Sequence, residues 1–201
     1  FMALMGRSSP EILNTWVPPF ERVVTVASLG FLIWGFTPYF REKNFVGLTL
    51  LVANTIFAFI FYFLAGWLWQ RAGLTDFNNS GWDLFFTLWQ IVLAIFAIVS
   101  CATKLDDEHT YALFGFAALL AGCLFHLFLG GNYVEPNLPV GVRLGELMAY
   151  PLFVIATYQG TIHFLRARSR ELQNLSQISL DQVKDLISLF EATREINASL
   201  D

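Results

Sequence analysis

Charged residues are scarce in this sequence. Only 14% of the 201 residues are Asp, Glu, Lys or Arg, whereas 56% are hydrophobic, and soluble domains carry about 25% charged residues. Phe occurs 21 times and Trp six times, so a soluble fold would have too few charges to cover this much aromatic surface. The composition therefore argues against a soluble domain and favours a protein that lies in a lipid bilayer.

Cysteine and clustered positive charge are also scarce. The two cysteines, Cys101 and Cys123, lie in hydrophobic runs, which predicts small buried apolar residues rather than a disulfide framework. The net charge is −4, without the basic patch typical of nucleic-acid binding. Phosphate-binding glycine loops, HExxH, CxxC and nucleophile elbows do not occur in the sequence. We therefore expect no enzymatic activity, cofactor, metal site or nucleic-acid partner in this chain.

Five segments are apolar and long enough to cross a bilayer, which takes roughly 20 residues. They comprise residues 23–40, 45–70, 82–101, 111–131 and 142–164. The predicted fold is an all-α membrane protein, a five-helix transmembrane domain over 23–164. Residues 1–22 are expected to form an outer interfacial segment or the tail of an upstream span. Residues 165–201 are expected to form a cytoplasmic linker helix that leads toward an output domain.

The basic residues beside the spans are more numerous on one side. One side has six and the other four, namely Arg41, Lys43, Lys104, Arg166, Arg168 and Arg170 against Arg7, Arg22, Arg71 and Arg143. Basic residues favour the cytoplasmic side of a membrane. The bias therefore predicts a C-terminus in the cytoplasm.

Polar side chains inside apolar spans are costly, so each is a candidate functional residue. Asn54, Gln90 and His126 lie in the second, third and fourth spans. Interhelical hydrogen bonds, worth about 1 kcal/mol each, are the default expectation for them, and small residues on its helical face predict that His126 points into the bundle. A small ligand pocket lined by all three is the functional alternative. Haem or metal ligation by His126 is a lesser one, because His109 and His163 lie at span ends and metal sites need several ligands.

The fifth span carries polar residues and a proline. Glu146 and Tyr150 share one helical face, and Glu146, nearly alone as an intramembrane carboxylate, is placed to pair with Arg22 or Arg143. Pro151 interrupts backbone hydrogen bonding and is expected to kink the helix. The near-isolation of Glu146 argues against a transporter, whereas a kinked span leading into a polar helix is a candidate moving part.

The C-terminal segment has heptad spacing. Apolar residues at intervals of three and four predict a parallel dimeric coiled coil and hence a homodimer; among them are Leu165, Leu172, Leu175, Leu186 and Leu189. Polar residues interrupt the pattern near Ser179 and Gln182. The segment is therefore expected to form either one helix with a loose middle or two helices with a joint at 177–181. A helix lying on the membrane surface is the other alternative.

Two stretches resemble a known family. Residues 186–201, LISLFEATREINASLD, resemble the first helix of bacterial GAF sensory domains, and residues 142–147, VRLGEL, followed by YPL at 150–152, are similar to the last span that precedes such domains. The whole chain resembles the membrane input region of GAF-containing sensor histidine kinases. The resemblance implies a two-component signalling protein of the bacterial inner membrane. The GAF domain, the phosphorylatable histidine and the ATP site of that family have no counterpart in this chain.

The leading hypothesis is a membrane sensory input module that transmits a conformational signal to a cytoplasmic output domain. The stimulus would have to favour one of two states of the bundle. A non-catalytic subunit of a larger membrane complex and, less favoured, a haem- or quinone-binding membrane protein are the alternatives. The candidate sensing residues are Asn54, Gln90, His126, Glu146 and Tyr150, and the candidate transmission residues are Pro151, Leu165, Leu172, Leu175, Leu186 and Leu189.

Overall fold

The described part of the chain consists of α-helices joined by short non-helical connections. The computed structural model describes residues 10–72, 77, 80–104, 106–129 and 139–200, with side chains for 16–40, 43–71, 77, 80–104, 106, 109–128 and 139–190. Residues 1–9 of the predicted outer segment, and the side chains of 191–201 in the GAF-like stretch, lie outside the described residues. The helices are α1 Pro10–Phe36, α2 Pro38–Glu42, α3 Asn44–Ala72, α4 Gly81–Ala102, α5 Asp107–Leu129 and α6 Val140–Leu200.

Five of these helices are long and apolar enough to cross a membrane. The apolar segments are Trp16–Phe36, Asn44–Arg71, Gly81–Ala102, His109–Phe128 and Val140–Phe190. The prediction of an all-α chain with five candidate transmembrane helices is therefore confirmed. The position of the C-terminus relative to a membrane stays a prediction, as does that of residues 1–22.

The first helix differs most from its predicted bounds. It begins at Pro10 and continues through Pro18 and Pro19, whereas the sequence predicted a span over 23–40. Prolines are tolerated in membrane helices when neighbouring groups satisfy the freed carbonyls. The helix ends at Phe36, since the residue before a proline disfavours helical geometry. Thr37 is extended, and Pro38 starts the short helix α2.

The chain divides into two compact units, Phe1–Thr157 and Tyr158–Asp201. In the second unit, residues 177–181 are helical, so the predicted joint between two helices is not present. The leucines predicted to form a dimer seam are each more than half exposed there, namely Leu165, Leu172, Leu175, Leu186 and Leu189. Their pairing with a second copy stays a prediction.

Small residues line the inner faces of the helices in the first unit. Ala97 and Cys101 on α4, Ala112 on α5 and Ala149 on α6 are fully buried in one core cluster, where they surround larger side chains such as Phe116. Small side chains let helix backbones approach closely in a membrane. Cys101 and Cys123 are buried free thiols, which confirms the prediction that both are small core residues.

Helices α5 and α6 are in backbone contact at three glycines. A Cβ atom on Gly145 would lie 2.9 Å from the Ala118 carbonyl oxygen, and one on Gly122 would lie 2.7 Å from the Gly145 Cα. A Cβ on Gly141 would lie 2.6 Å from the backbone nitrogen of His126. Only glycine fits at this spacing, so the first turns of α6 lie directly against the last turns of α5.

Asp106 caps the start of α5. Its Oδ1 accepts a hydrogen bond from the His109 backbone N–H at 2.9 Å, and the His109 Nδ1 lies 2.5 Å from the same oxygen. Partial burial alone would raise the pKa of Asp106. The hydrogen bonds from the backbone and ring of His109, with the charges of His109 and Lys104, outweigh burial and lower this pKa below its ordinary value of 3.8.

The cap predicts a pH dependence. Asp106→Asn keeps an oxygen for the His109 N–H but cannot ionise. The pKa of Asp106 is lower in the folded protein than its ordinary value of 3.8, so the ionised carboxyl stabilises the fold above pH 3.8. This contribution is lost as the pH falls through the pKa of the folded state. We expect the stability advantage of wild type over Asp106→Asn, measured by urea unfolding in detergent, to shrink between about pH 5 and pH 2. An advantage that stays constant over this range would contradict the assignment.

Candidate functional site: a buried ionic cluster

Three charged or polar side chains meet inside the first unit. The Arg22 Nε on α1 donates a hydrogen bond to the Asp83 Oδ1 on α4 at 2.6 Å, and the His126 Nε2 on α5 lies 2.9 Å from the Asp83 Oδ2. Arg22 is 0%, Asp83 3% and His126 2% exposed. We call these three residues the ionic cluster. It joins three helices through the two oxygens of one carboxylate.

Local structure places Asp83 and His126 at matching positions. Ser80 caps α4, because its Oγ accepts the Asp83 N–H at 3.2 Å and donates to the Phe77 carbonyl at 2.6 Å. Asp83 thus lies in the first turn of α4, where the helix dipole favours a negative charge. His126 lies in the last turn of α5, where the dipole favours a positive charge. The dipole of each helix therefore favours a charge on the side chain that this helix contributes to the cluster.

A second set of polar contacts joins α1 to α6. The Arg143 Nη2 lies 2.6 Å from the Glu21 Oε1, and the Thr25 Oγ1 donates to the Glu146 Oε1 at 3.2 Å. The sequence placed Glu146 beside Arg22 or Arg143 as its partner. In the structure Arg22 pairs with Asp83 and also lies 4.0 Å from Glu21, while Arg143 pairs with Glu21. A pairing of Glu146 with Arg22 or Arg143 stays a prediction.

The two ring nitrogens of His126 differ in their surroundings. The Nε2 faces a carboxylate oxygen, which can only accept, so the Nε2 carries a proton. The Nδ1 is buried and has no hydrogen-bond partner among the described residues. A hydrogen-bond donor at Nδ1 would polarise the ring and strengthen the hydrogen bond that the Nε2 donates to Asp83.

Interhelical hydrogen bonds, the default expectation for Asn54, Gln90 and His126, are present. The Asn54 Nδ2 donates to the Val26 carbonyl at 3.3 Å, and the Gln90 Oε1 accepts from the Cys123 Sγ at 3.4 Å. His126 points into the bundle, as predicted, and contacts Asp83.

Among the described residues, two of these three line different cavities, and a pocket shared by all three stays a prediction. Gln90, Glu146 and Tyr150 line a narrow cavity of about 10 Å³, which is room for about one water molecule. Asn54 lines a different cavity. Of the proposed transmission residues, Pro151 lies within α6, and the five leucines are exposed on that helix.

Sequence reasoning missed Arg22 and Asp83 as functional residues. It treated Glu146 as nearly the only carboxylate in the spans, whereas Asp83 is buried deep in the bundle. Two signals could have found Asp83. Ser80 and Asp83 have the S-x-x-D spacing of a capping box, and consecutive antiparallel spans place the start of α4 and the end of α5 at the same depth.

No protein-family model matches the chain, and neither a curated protein nor a solved structure is similar enough to match it. Within the described residues, no group of three or more His, Cys, Asp or Glu side chains is placed to hold a metal ion. The chemistry that the ionic cluster supports is hydrogen bonding between buried polar groups.

The cluster predicts a large stability difference between two conservative variants. Asp83→Asn leaves Arg22 buried without its carboxylate, and breaking a buried ion pair costs on the order of 3 kcal/mol. Arg143→Gln breaks the Glu21–Arg143 pair, whose side chains are 23% and 52% exposed, and leaves in place Glu21, which also lies 4.0 Å from Arg22. Exposed pairs contribute about 1 kcal/mol or less. Both variants are compared with wild type by thermal unfolding in detergent. Equal losses in the two variants would contradict the structural role of the cluster.

Proposed function

We propose that this chain is a membrane sensory input module in which a change at the ionic cluster shifts α6. The contact that carries the proposal is the one between Gly141 on α6 and the backbone of His126 on α5. Because no side chain separates the two backbones, a movement of the last turn of α5 cannot be absorbed by a change of rotamer. The movement would be passed on to the backbone of α6.

Polar contacts give α6 a second connection to the cluster. Thr25 and Glu21 lie one turn or less from Arg22 on α1, and they bind Glu146 and Arg143 on α6. A shift of α1 that follows a change in the Arg22–Asp83 pair would therefore also reach α6. A stimulus acts on such a device only if it interacts differently with two states of the bundle, and the Nδ1 of His126 is the atom at which we place that difference.

The proposed output is a parallel homodimer formed by residues 165–200. Leu172, Leu175, Leu186 and Leu189 have heptad spacing and are 57% to 66% exposed, and apolar seams of this spacing pair in coiled coils. In this proposal the segment leads to a cytoplasmic GAF or histidine kinase output domain of a two-component system in the bacterial inner membrane. The bias of basic residues and the resemblance of residues 142–152 and 186–201 support this part.

The exposed leucines also support a second candidate function. In a non-catalytic subunit of a larger membrane complex, the same apolar seam would dock on a different protein. The two functions differ in which protein binds the leucine seam. They also differ in whether that binding depends on the ionic cluster. Under the second function, a change at Asp83 would leave the seam and its partner unaffected.

Cysteine crosslinking in membranes separates these functions. In a background with Cys101→Ala and Cys123→Ala, single cysteines replace Leu172 or Leu186 on the seam, and replace Gln177 or Lys184 on the opposite face as matched controls. We expect rapid disulfide crosslinks between two copies at the seam positions and slow ones at the control positions. Addition of Asp83→Asn is expected to change the seam crosslinking rate severalfold.

The control for the second step is Gly35→Ala, because a Cβ on Gly35 would meet no atom within 4 Å. This variant should leave the seam crosslinking rate unchanged. Seam crosslinks that form at the same rate with and without the Asp83→Asn substitution would refute the sensory proposal. Slow crosslinking at every position would favour the complex-subunit function instead.

A further inference from the structure

The first unit contains a second and larger cavity, apart from the ionic cluster. It has a volume of about 430 Å³ and is lined by residues of α1, α2, α3 and α4. Pockets for small molecules commonly have volumes of about 300–1,000 Å³ and are mostly apolar with a few placed polar groups. The cavity is therefore large enough for an organic ligand.

The described residues that line this cavity include no charged side chain. Burying an ionised group without a partner is strongly unfavourable, so a ligand at this position has to be neutral. The lining residues on α1, α3 and α4 belong to the apolar segments that could cross a membrane. Leu50, Phe57 and Phe96 at its rim are 51%, 55% and 42% exposed. A ligand would therefore enter from the surface that faces lipid in a bilayer.

Aromatic rings form much of the wall, and their positions are held. Trp34 and Phe40 lie so close to the backbone of Gly47 that a Cβ there would be 2.8 Å from the Trp34 ring and 2.7 Å from the Phe40 Cβ. The Trp34 Nε1 donates to the Asn44 Oδ1 at 3.2 Å, and the Phe40 and Phe96 rings lie 5.8 Å apart. Fixed ring faces favour a planar, ring-bearing ligand, because aromatic pairs stack or meet edge to face.

One side chain supplies hydrogen bonding. Asn54 lines the cavity, and its Nδ2 makes a single long bond of 3.3 Å to the Val26 carbonyl. An amide nitrogen has two hydrogens to donate, so one remains for a carbonyl oxygen of the ligand. A lipid acyl chain would make use of neither this amide nor the ring faces.

We infer that the cavity binds a neutral, membrane-soluble ring compound that bears a carbonyl group, of the quinone class. The aromatic walls would stack on the ring, and Asn54 would donate a hydrogen bond to the carbonyl. This site is separate from the ionic cluster, and the inference does not depend on the sensory proposal.

Quenching of tryptophan fluorescence by menadione tests this inference with the full chain in lipid nanodiscs. Trp34 and Trp89 line the cavity, so a bound naphthoquinone should quench them at a ligand concentration that saturates. The double variant Trp34→Phe/Trp89→Phe should lose this saturable component.

Ala53→Phe and, independently, Leu93→Phe should fill the cavity and weaken binding at least tenfold. Asn54→Ala should weaken it up to about tenfold, the effect of losing one hydrogen bond.

The matched control is Val52→Phe, which adds the same ring at an exposed neighbouring position on α3 and should leave binding unchanged. Circular dichroism and size-exclusion chromatography check that each variant is folded.

Quenching that rises linearly without saturation in wild type would show partitioning into lipid only and overturn the inference. Phospholipids with dibrominated acyl chains provide the other arm. Quenching of Trp34 and Trp89 by these chains that Ala53→Phe reduces, with no saturable quenching by menadione, would show a lipid-filled cavity and would also overturn it.

Discussion

The first unit depends on one buried ion pair, Arg22 with Asp83. Each charge lies in a segment apolar enough to cross a membrane, where an unpaired charge is very costly. The pair at 2.6 Å therefore restricts how α1 and α4 can rotate and slide against each other. His126 occupies the second carboxylate oxygen, which extends the same restriction to α5. Hydrophobic packing alone would allow several registers of these helices, whereas the ion pair is compatible with few.

The glycine contacts extend this restriction from α5 to α6. The backbones of α5 and α6 meet at Gly122, Gly141 and Gly145. The contact at Gly141 lies beside His126, which belongs to the ionic cluster. Packed helices with such contacts shift between discrete arrangements rather than deforming gradually. The sensory proposal rests on the close approach of the α6 backbone at Gly141 to the backbone of His126, a member of the ionic cluster.

The sequence predicted the helices well and the ionic cluster poorly. Long apolar runs identify spans without knowledge of their neighbours, and Asn54, Gln90 and His126 had to find interhelical partners because lipid offers none. The Arg22–Asp83 pair joins positions far apart in the chain and depends on the depth of each helix, which periodicity does not encode. The bounds of α1 were predicted less well, because apolar run length gave no sign that the helix extends back through Pro18 and Pro19 to Pro10, which membrane helices tolerate.

The most direct test of the central role of this ion pair is a double-mutant cycle with Arg22→Met and Asp83→Leu, measured as free energy of unfolding in detergent. Each single variant removes one charge of the pair, leaves the other buried and should lose on the order of 3 kcal/mol, whereas the double variant removes both charges. The account predicts that the double variant is more stable than either single variant. Losses that simply add, so that the double variant is the least stable of the three, would contradict it.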